Sequence, residues 1–135
     1  SIFAVGYKNE TVSQVKIGYG TLIPDNNIPI SGILNESDIH QSKRSPTGHR
    51  LFRLMVPHSR WDGDDQSVLE CAESLLGKKP VLFAKIGERN IPRYPPGYMS
   101  RLSQIEHDCS YVGWSVSGVS ITHVVAEAER IAELF

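Results

Sequence analysis

Helical spacing of apolar residues is the clearest pattern along the chain. Five apolar residues recur at the i, i+1, i+4, i+7 and i+8 positions of one helix face: Val68, Leu69, Ala72, Leu75 and Leu76. Asp64 or Asp65 supplies an N-cap, while Gly77 and Pro80 end the segment. This pattern predicts a helix over 65–76.

A second amphipathic pattern lies at the end of the sequence. Val124, Ala128 and Ile131 fall on one helical face, with Thr122 placed as the N-cap. The spacing predicts a helix over 122–135.

Most other apolar segments alternate with a period of two or form short runs between turn signals. Both patterns are typical of β-strands. They predict six strands, at 2–7, 12–23, 28–34, 50–56, 81–86 and 109–121.

These elements follow the order β-β-β-β-α-β-β-α, which predicts one α+β domain over residues 1–135. We expect a mostly antiparallel sheet of about five to six strands, with helices 65–76 and 122–135 packed on one face. The spacing of strand 50–56, helix 65–76 and strand 81–86 fits a β-α-β unit with the two strands parallel in one sheet. The tail β-α-β-β-α lacks one strand of a ferredoxin-like split β-α-β arrangement, which an N-terminal strand would supply.

Two long polar segments, 35–49 and 87–102, contain proline and glycine and are predicted to be loops. Loops of this length are uncommon in compact domains and often carry function. Cationic residues lie in or directly beside both segments, and tyrosines accompany them in the second: Lys43, Arg44, His49, Arg50, Arg89, Arg93, Tyr94, Tyr98 and Arg101.

Net charge is −1, which argues against a strongly basic nucleic-acid binder. The charge is uneven, however: −2 over residues 1–39, +5 over 40–101 and −4 over 102–135. Arginines beside tyrosines fit contact with phosphates or nucleic acid. Solvated loop charges, balanced by the acidic ends, are the commoner explanation of such clusters.

Residues 57–65 hold the densest set of functional groups and join a strand end to a helix start. Asp62, Asp64 and Asp65, together with His58, are weak candidates for a hard divalent cation. Helix capping and turn chemistry explain the same aspartates more simply. His107, Asp108 and Cys109 supply too few same-face ligands for a closed zinc site.

Common catalytic and nucleotide-binding motifs do not occur in the sequence, so we assign no cofactor. Metal-independent phosphodiester chemistry would need a histidine acid or base and arginines to stabilise the transition state. His49, His58, Arg50 and Arg60 flank strand 50–56 and are the candidates for these roles.

The sequence shows no secretory signal and no apolar run near ~18 residues, so we expect a cytoplasmic protein without a membrane partner. Cys71 lies on the apolar face of helix 65–76 and is predicted to be a small core residue. We expect Cys71 and Cys109 to be reduced.

We therefore expect a small soluble binding or regulatory protein that contacts a partner, an anionic ligand or a nucleic acid through loops 35–49 and 87–102. The alternative is a small phosphodiester-acting or nucleotide-binding enzyme that uses His58 and nearby Arg and Asp residues. Four loop residues are also candidate anchors of a homo-oligomer, unless they fold back on the sheet: Trp61, Tyr94, Tyr98 and Met99.

Overall fold

The structure, a computed structural model, describes residues 1–41, 44–105 and 109–135. These residues divide into two compact units, Ser1–Arg89 and Asn90–Phe135, which are described separately. The prediction of a single domain stays a prediction. Lys43, His107 and Asp108 lie outside the described residues.

A five-stranded antiparallel sheet forms the frame of the first unit. Its strands are β1 (Ile2–Lys8), β2 (Gly20–Leu22), β3 (Gly32–Leu34), β4 (His49–Met55) and β5 (Leu82–Gly87). Their order across the sheet is β2-β3-β4-β1-β5, and every neighbouring pair is antiparallel. The predicted α+β class is confirmed.

The predicted split β-α-β unit is present. β4 and β5 both pair antiparallel with β1, so they run in the same direction with β1 between them. The connection contains a short 3₁₀ helix at His58–Arg60 and helix α2, numbered after a one-turn helix α1 at Glu36–Ile39. α2 spans Asp65–Leu75, close to its predicted bounds.

The start of α2 is fixed by the side chain of Asp64. Its carboxylate accepts hydrogen bonds from the backbone N–H groups of Gln66 and Ser67, at 3.0 and 3.1 Å. These bonds satisfy amides that have no partner within the helix. The predicted N-cap is confirmed and assigned to Asp64.

The core of the first unit lies between α2 and one face of the sheet. Alternate residues of each strand point to that face, because side chains along a strand alternate between its two sides. α2 contributes Val68 and Ala72 to the core, and its C-cap residue Leu76 joins them. The strands contribute the largest buried side chains, which include Phe3, Val5, Tyr7, Phe52 and Leu54.

The prediction of one long strand over 12–23 is wrong. Only Gly20–Leu22 is strand, and a 3₁₀ helix occupies Asn9–Val12. The carbonyls of Val12 and Val15 accept hydrogen bonds from Arg50, at 3.3 and 2.8 Å. A side chain therefore satisfies backbone groups that a strand ladder would otherwise use.

Two further boundaries change in the first unit. The strand predicted over 28–34 is confined to Gly32–Leu34. The segment 35–49, predicted as a loop, begins with α1. α1 lies beside β4 beyond the end of β3, where the Ser37 hydroxyl accepts a 2.8 Å hydrogen bond from the backbone N–H of Leu51.

The second unit is helical in its regular parts, with α3 at Tyr98–Leu102, α4 at Trp114–Ser117 and α5 at Ile121–Ala132. The strand predicted over 109–121 is therefore wrong. Gly113 and Gly118 flank α4 with φ angles of 145° and 111°, which break an extended strand at both points. The loop predicted over 87–102 likewise ends in α3.

α5 begins slightly earlier than predicted. Ser120, rather than Thr122, caps it by accepting a 3.0 Å hydrogen bond from the backbone N–H of His123. Because α5 belongs to the second unit, its packing against the sheet stays a prediction. Among the described residues, we find no helix both long and apolar enough to cross a membrane.

Candidate functional site

The face of the sheet opposite α2, here called the open face, carries small residues at its centre. Gly6 of β1 lies between Leu51 of β4 and Leu82 of β5, and Ala4 lies between Arg53 and Ala84. A Cβ atom built on Gly6 would come within 3.2 Å of the Cβ of Leu82. The missing side chain at Gly6 therefore leaves a depression between larger apolar neighbours.

A buried carboxylate lies at the border of this face. The side chain of Glu36 is 5% exposed and contacts three cationic or titratable groups. Arg53 Nη2 lies 2.8 Å from its Oε1, while Arg44 Nη1 and His40 Nε2 lie 3.2 and 3.5 Å from its Oε2. With His40 neutral, Glu36, Arg44 and Arg53 together carry one net positive charge.

Two cavities meet this cluster. The smaller, of about 150 Å³, is lined by Glu36, Arg44, Arg53 and Leu51, among others. The larger, of about 260 Å³, shares Arg44 and Leu51 and extends over Gly6 towards β5. We call the two together the open-face pocket, since the same arginine and leucine line both parts.

Arg50, a predicted ligand-binding residue, is committed to the fold instead. Its guanidinium lies 2.9 Å from Asp38 Oδ2 and 5.1 Å from the centre of the Phe52 ring. It also donates to the carbonyls of Val12 and Val15. These contacts use most of its donors, which leaves little of Arg50 for a ligand.

Arg60 and the acidic residues near it also have structural partners. Arg60 donates to the carbonyls of Ile23 and Asp25 at 2.9 and 2.8 Å. Asp62 accepts a 3.0 Å bond from the backbone N–H of Asp64, itself the cap of α2. No group of three or more potential metal ligands comes together within the described residues, which include Asp65.

His58 lies in a separate polar cluster. Its Nε2 is 3.2 Å from Glu88 Oε1, and Lys85 Nζ is 3.0 Å from the other carboxylate oxygen. The hydrogen bond from Lys85, helped by the charges of Lys85 and His58, lowers the pKa of Glu88. Lys85 also lies 5.0 Å from the centre of the Trp61 ring.

The structure does not bring the two candidate catalytic histidines together. His49 opens β4, whereas His58 follows its other end. His49 Nδ1 lies 3.1 Å from the Thr47 carbonyl. A shared acid–base role for the two rings would therefore need a ligand as long as the strand.

The remaining predicted residues follow β5. Arg89 donates to the neighbouring carbonyl of Glu88, and Arg101 donates to that of Pro96 at 3.1 Å. In the second unit, Tyr94 and Tyr98 stack with ring centres 5.0 Å apart, and exposed Arg93 lies beside them in the chain. The Tyr98 hydroxyl donates a 2.8 Å hydrogen bond to the Ser115 carbonyl.

Two other expectations concern single side chains. Trp61 folds back onto the core, edge-on to Phe3 at 5.6 Å, rather than projecting as an interface anchor. Cys71 packs against the core, as predicted, and burial raises the pKa of its thiol. Both Cys71 and Cys109 are free cysteines.

Sequence reasoning missed Glu36 and Arg53 as site residues. A signal was available for Arg53, since it interrupts the apolar parity shared by Leu51 and Met55 in a strand. Burial of Glu36 depends on α1, which lies in the segment predicted to be a loop.

Comparisons with known proteins add no functional indication. No protein family matches the chain, and the curated proteins contain no similar sequence. The functional argument therefore depends on the geometry of the open-face pocket and of the His58 cluster.

Proposed function

We propose that the protein binds a small anionic ligand in the open-face pocket. The observation that carries this proposal is the charge imbalance at Glu36, where two arginines share one buried carboxylate. A ligand carboxylate or similar anion would neutralise the remaining positive charge. Anions that bind guanidinium groups form charge-assisted hydrogen bonds, which are among the stronger ones in proteins.

Arg44 is the residue best placed to meet such a ligand. Its side chain is 52% exposed and lines both cavities, while only its Nη1 is within 3.2 Å of Glu36. A guanidinium has five N–H donors in a fixed plane, so Arg44 retains donors for a second anion. Glu36 would hold the guanidinium in position while the ligand binds its exposed edge.

The proposal uses part of the segment 35–49, which supplies Glu36 and Arg44. Contact with a macromolecular partner or nucleic acid through 87–102 stays a prediction, as does formation of a homo-oligomer. The stacked Tyr94 and Tyr98 and exposed Arg93 are the features that keep the second segment of interest.

Anion binding is tested by isothermal titration calorimetry against inorganic phosphate, acetate, benzoate and octanoate at fixed ionic strength. We expect at least one anion to bind, and Arg44→Gln to weaken that binding about tenfold or more, as expected for loss of a charged hydrogen bond. Lys78→Gln is the control, because it removes the same charge from an exposed turn after α2.

The proposal fails if none of the four anions binds the wild-type protein. It also fails if Arg44→Gln and Lys78→Gln bind the same anion with equal affinity, since the charge at the pocket would then be irrelevant.

A second candidate function uses the contact between His58 and Glu88. A carboxylate 3.2 Å from a histidine nitrogen can orient the ring, and a positioned ring is what general acid–base catalysis requires. A groove of about 480 Å³ beside it is lined by His58, Arg60 and Trp61, among others. This arrangement supports a phosphodiester-acting enzyme as the alternative.

The alternative is tested by hydrolysis of bis(p-nitrophenyl) phosphate. Activity that His58→Ala and Glu88→Gln abolish, and that the control His123→Ala leaves unchanged, would support it. Equal rates for wild-type protein and His58→Ala would remove His58 from consideration.

A further inference from the structure

The open-face pocket also indicates which class of anion it takes. Resting on the proposed function, we infer that its ligand is a monocarboxylate with an apolar body, such as a medium-chain fatty acid or an aromatic acid. The argument combines the charge of the Glu36 cluster with the chemistry of the larger cavity.

The charge count favours a single negative charge. Glu36, Arg44 and Arg53 carry one net positive charge when His40 is neutral. One carboxylate balances this charge. A phosphate dianion would leave an excess negative charge beside Glu36, whose side chain is nearly buried, and close like charges are destabilising there.

The larger cavity offers mainly apolar surface. Its wall includes Gly6, Pro46, Leu51, Val81 and Leu82. Arg44, Ser45, His49 and Arg50 complete the lining, and the charge of Arg50 is balanced by Asp38. Contact with these residues would remove hydrocarbon from water, which is favourable roughly in proportion to the apolar area buried. A purely inorganic anion would leave this surface exposed.

Ser45, which also lines the larger cavity, has a hydroxyl that already has hydrogen-bond partners. Ser45 Oγ donates to the His49 carbonyl at 3.0 Å and lies 2.8 Å from Ser37 Oγ. Since the single proton of Ser45 goes to His49, Ser37 is the donor in the bond between the two hydroxyls. Both hydroxyl protons are thus used, which disfavours a ligand that needs hydrogen bonds from this wall.

The dimensions suggest how such a ligand would lie. Ligand pockets usually measure about 300–1,000 Å³. Each cavity alone, at about 260 and 150 Å³, falls below that range, so the ligand would occupy both. The smaller cavity is lined by Glu36, Arg44 and Arg53 and would take the carboxylate of the ligand. The apolar body would extend past Leu51 across Gly6 towards Leu82.

Calorimetry with octanoate, octanol, acetate and inorganic phosphate separates the two contributions. All are measured at one pH and ionic strength, with octanoate below its micelle concentration. We expect octanoate to bind at least tenfold more tightly than each of the other three. The comparison with acetate measures how much the apolar body contributes to affinity, and the comparison with octanol measures how much the negative charge contributes.

Two matched leucine variants locate the apolar contact. Leu82 on the open face and Leu75 on α2 are 46% and 41% exposed, so a serine at either position is tolerable for folding. We expect Leu82→Ser to weaken octanoate binding several-fold, without a loss of comparable size in the binding of acetate. Leu75→Ser should leave octanoate binding unchanged.

The outcomes distinguish this inference from the proposed function. Acetate or phosphate binding as tightly as octanoate, with loss in Arg44→Gln, would overturn the apolar body and retain anion binding. Octanol binding as tightly as octanoate would overturn recognition of the charge. Failure of every anion to bind would overturn both.

Discussion

Alternate residues of β4 place an arginine on each face of the sheet. Arg50, on the face covered by α2, pairs with Asp38 through side chains only 13% and 14% exposed. Arg53, on the open face, pairs with Glu36 and shares that carboxylate with the exposed Arg44. One arginine therefore holds the fold together, and the other belongs to a cluster with unused positive charge.

The difference shows why arginine content alone does not locate a binding site. On the covered face, Arg50 satisfies backbone carbonyls as well as a carboxylate, so its removal would leave several polar groups without partners. On the open face, Arg53 lines the smaller cavity together with the apolar residues Ala4, Leu51 and Ile86. The chemistry available to a ligand depends on which groups the fold has already paired.

The largest expected difference between the faces concerns two leucines of β4. Leu54 is fully buried against α2, whereas Leu51 lies on the open face. Leu54→Ala should lower the free energy of unfolding by about 3–4 kcal/mol, because it opens a cavity in the core. Leu51→Ala should cost less than about 1.5 kcal/mol, since solvent and neighbours fill the space it leaves.

Urea unfolding followed by circular dichroism measures both variants. Equal destabilisation by Leu54→Ala and Leu51→Ala would show that the open face is covered in the folded protein, and the open-face pocket would then have no solvent access.

Removing Arg50 from the covered face should also destabilise the protein more than removing Arg53 from the open face. Arg50→Ala leaves Asp38 largely buried without its cation and should cost about 3 kcal/mol. Arg53→Ala should cost about 1 kcal/mol, because Glu36 keeps Arg44 as a partner and Arg53 itself is 34% exposed. Chemical denaturation compares the two, with Arg89→Ala as an exposed control expected to change stability by less than about 0.5 kcal/mol.

A larger loss from Arg53→Ala than from Arg50→Ala would reverse the comparison. It would identify the Glu36 cluster as a structural clamp and remove the main support for anion binding.

Alkaline pH should lower the free energy of unfolding through Tyr7, a residue of the covered face. Burial, with a smaller contribution from the charge of Glu73, raises the pKa of Tyr7 to about 12. A tyrosine in the unfolded chain ionises near pH 10. Unfolding is therefore favoured as the pH rises above 10, and stability should fall by about 2–3 kcal/mol by pH 12.

Tyr7→Phe isolates this effect in denaturation curves between pH 8 and 12. The variant should lack the Tyr7 component of the alkaline loss. At neutral pH it should be more stable by about 1 kcal/mol, because the buried Tyr7 hydroxyl has no hydrogen-bond partner among the described residues. Parallel curves for the two proteins across that range would contradict the assignment.

The smallest expected effect concerns the helix that covers one face. Asp64→Ala removes both side-chain bonds of the N-cap and should destabilise the protein by about 1 kcal/mol. Asp65→Ala, one residue later, should cost less than about 0.5 kcal/mol. Thermal unfolding can rank the two variants, and equal effects would show that charge near the helix start matters more than the cap.

Local patterns predicted the parts of the fold in which side chains and backbone favour the same structure. α2 has an apolar face, a capping aspartate and a terminating glycine and proline, and its bounds agree with prediction within one residue. The segment 12–23 alternates as a strand does, yet Arg50 binds its carbonyls from a distant part of the chain. Such a contact has no local signature.

The second unit shows a different limit. Residues 109–121 alternate well enough to predict a strand, but Gly113 and Gly118 adopt positive φ angles and α4 forms between them. Each glycine also fits a strand bulge, so local sequence did not distinguish the two structures.

The candidate site was predictable only in part. The positive charge of segment 40–101 drew attention to a range that includes Arg44 and Arg53, whereas Glu36 lies outside it. Which arginines are paired depends on the register of β4 and on α1 lying beside that strand, neither of which a local pattern reveals.

The position of β1 between β4 and β5 also constrains the order in which the sheet can assemble. Ile2 pairs with Met55, and Gly6 pairs with Leu82, so β1 must wait for both partners to be synthesised. Contacts between residues so distant in sequence slow folding, because the intervening chain must first be closed into loops. During translation, β1 can therefore pair only with β4 until β5 leaves the ribosome.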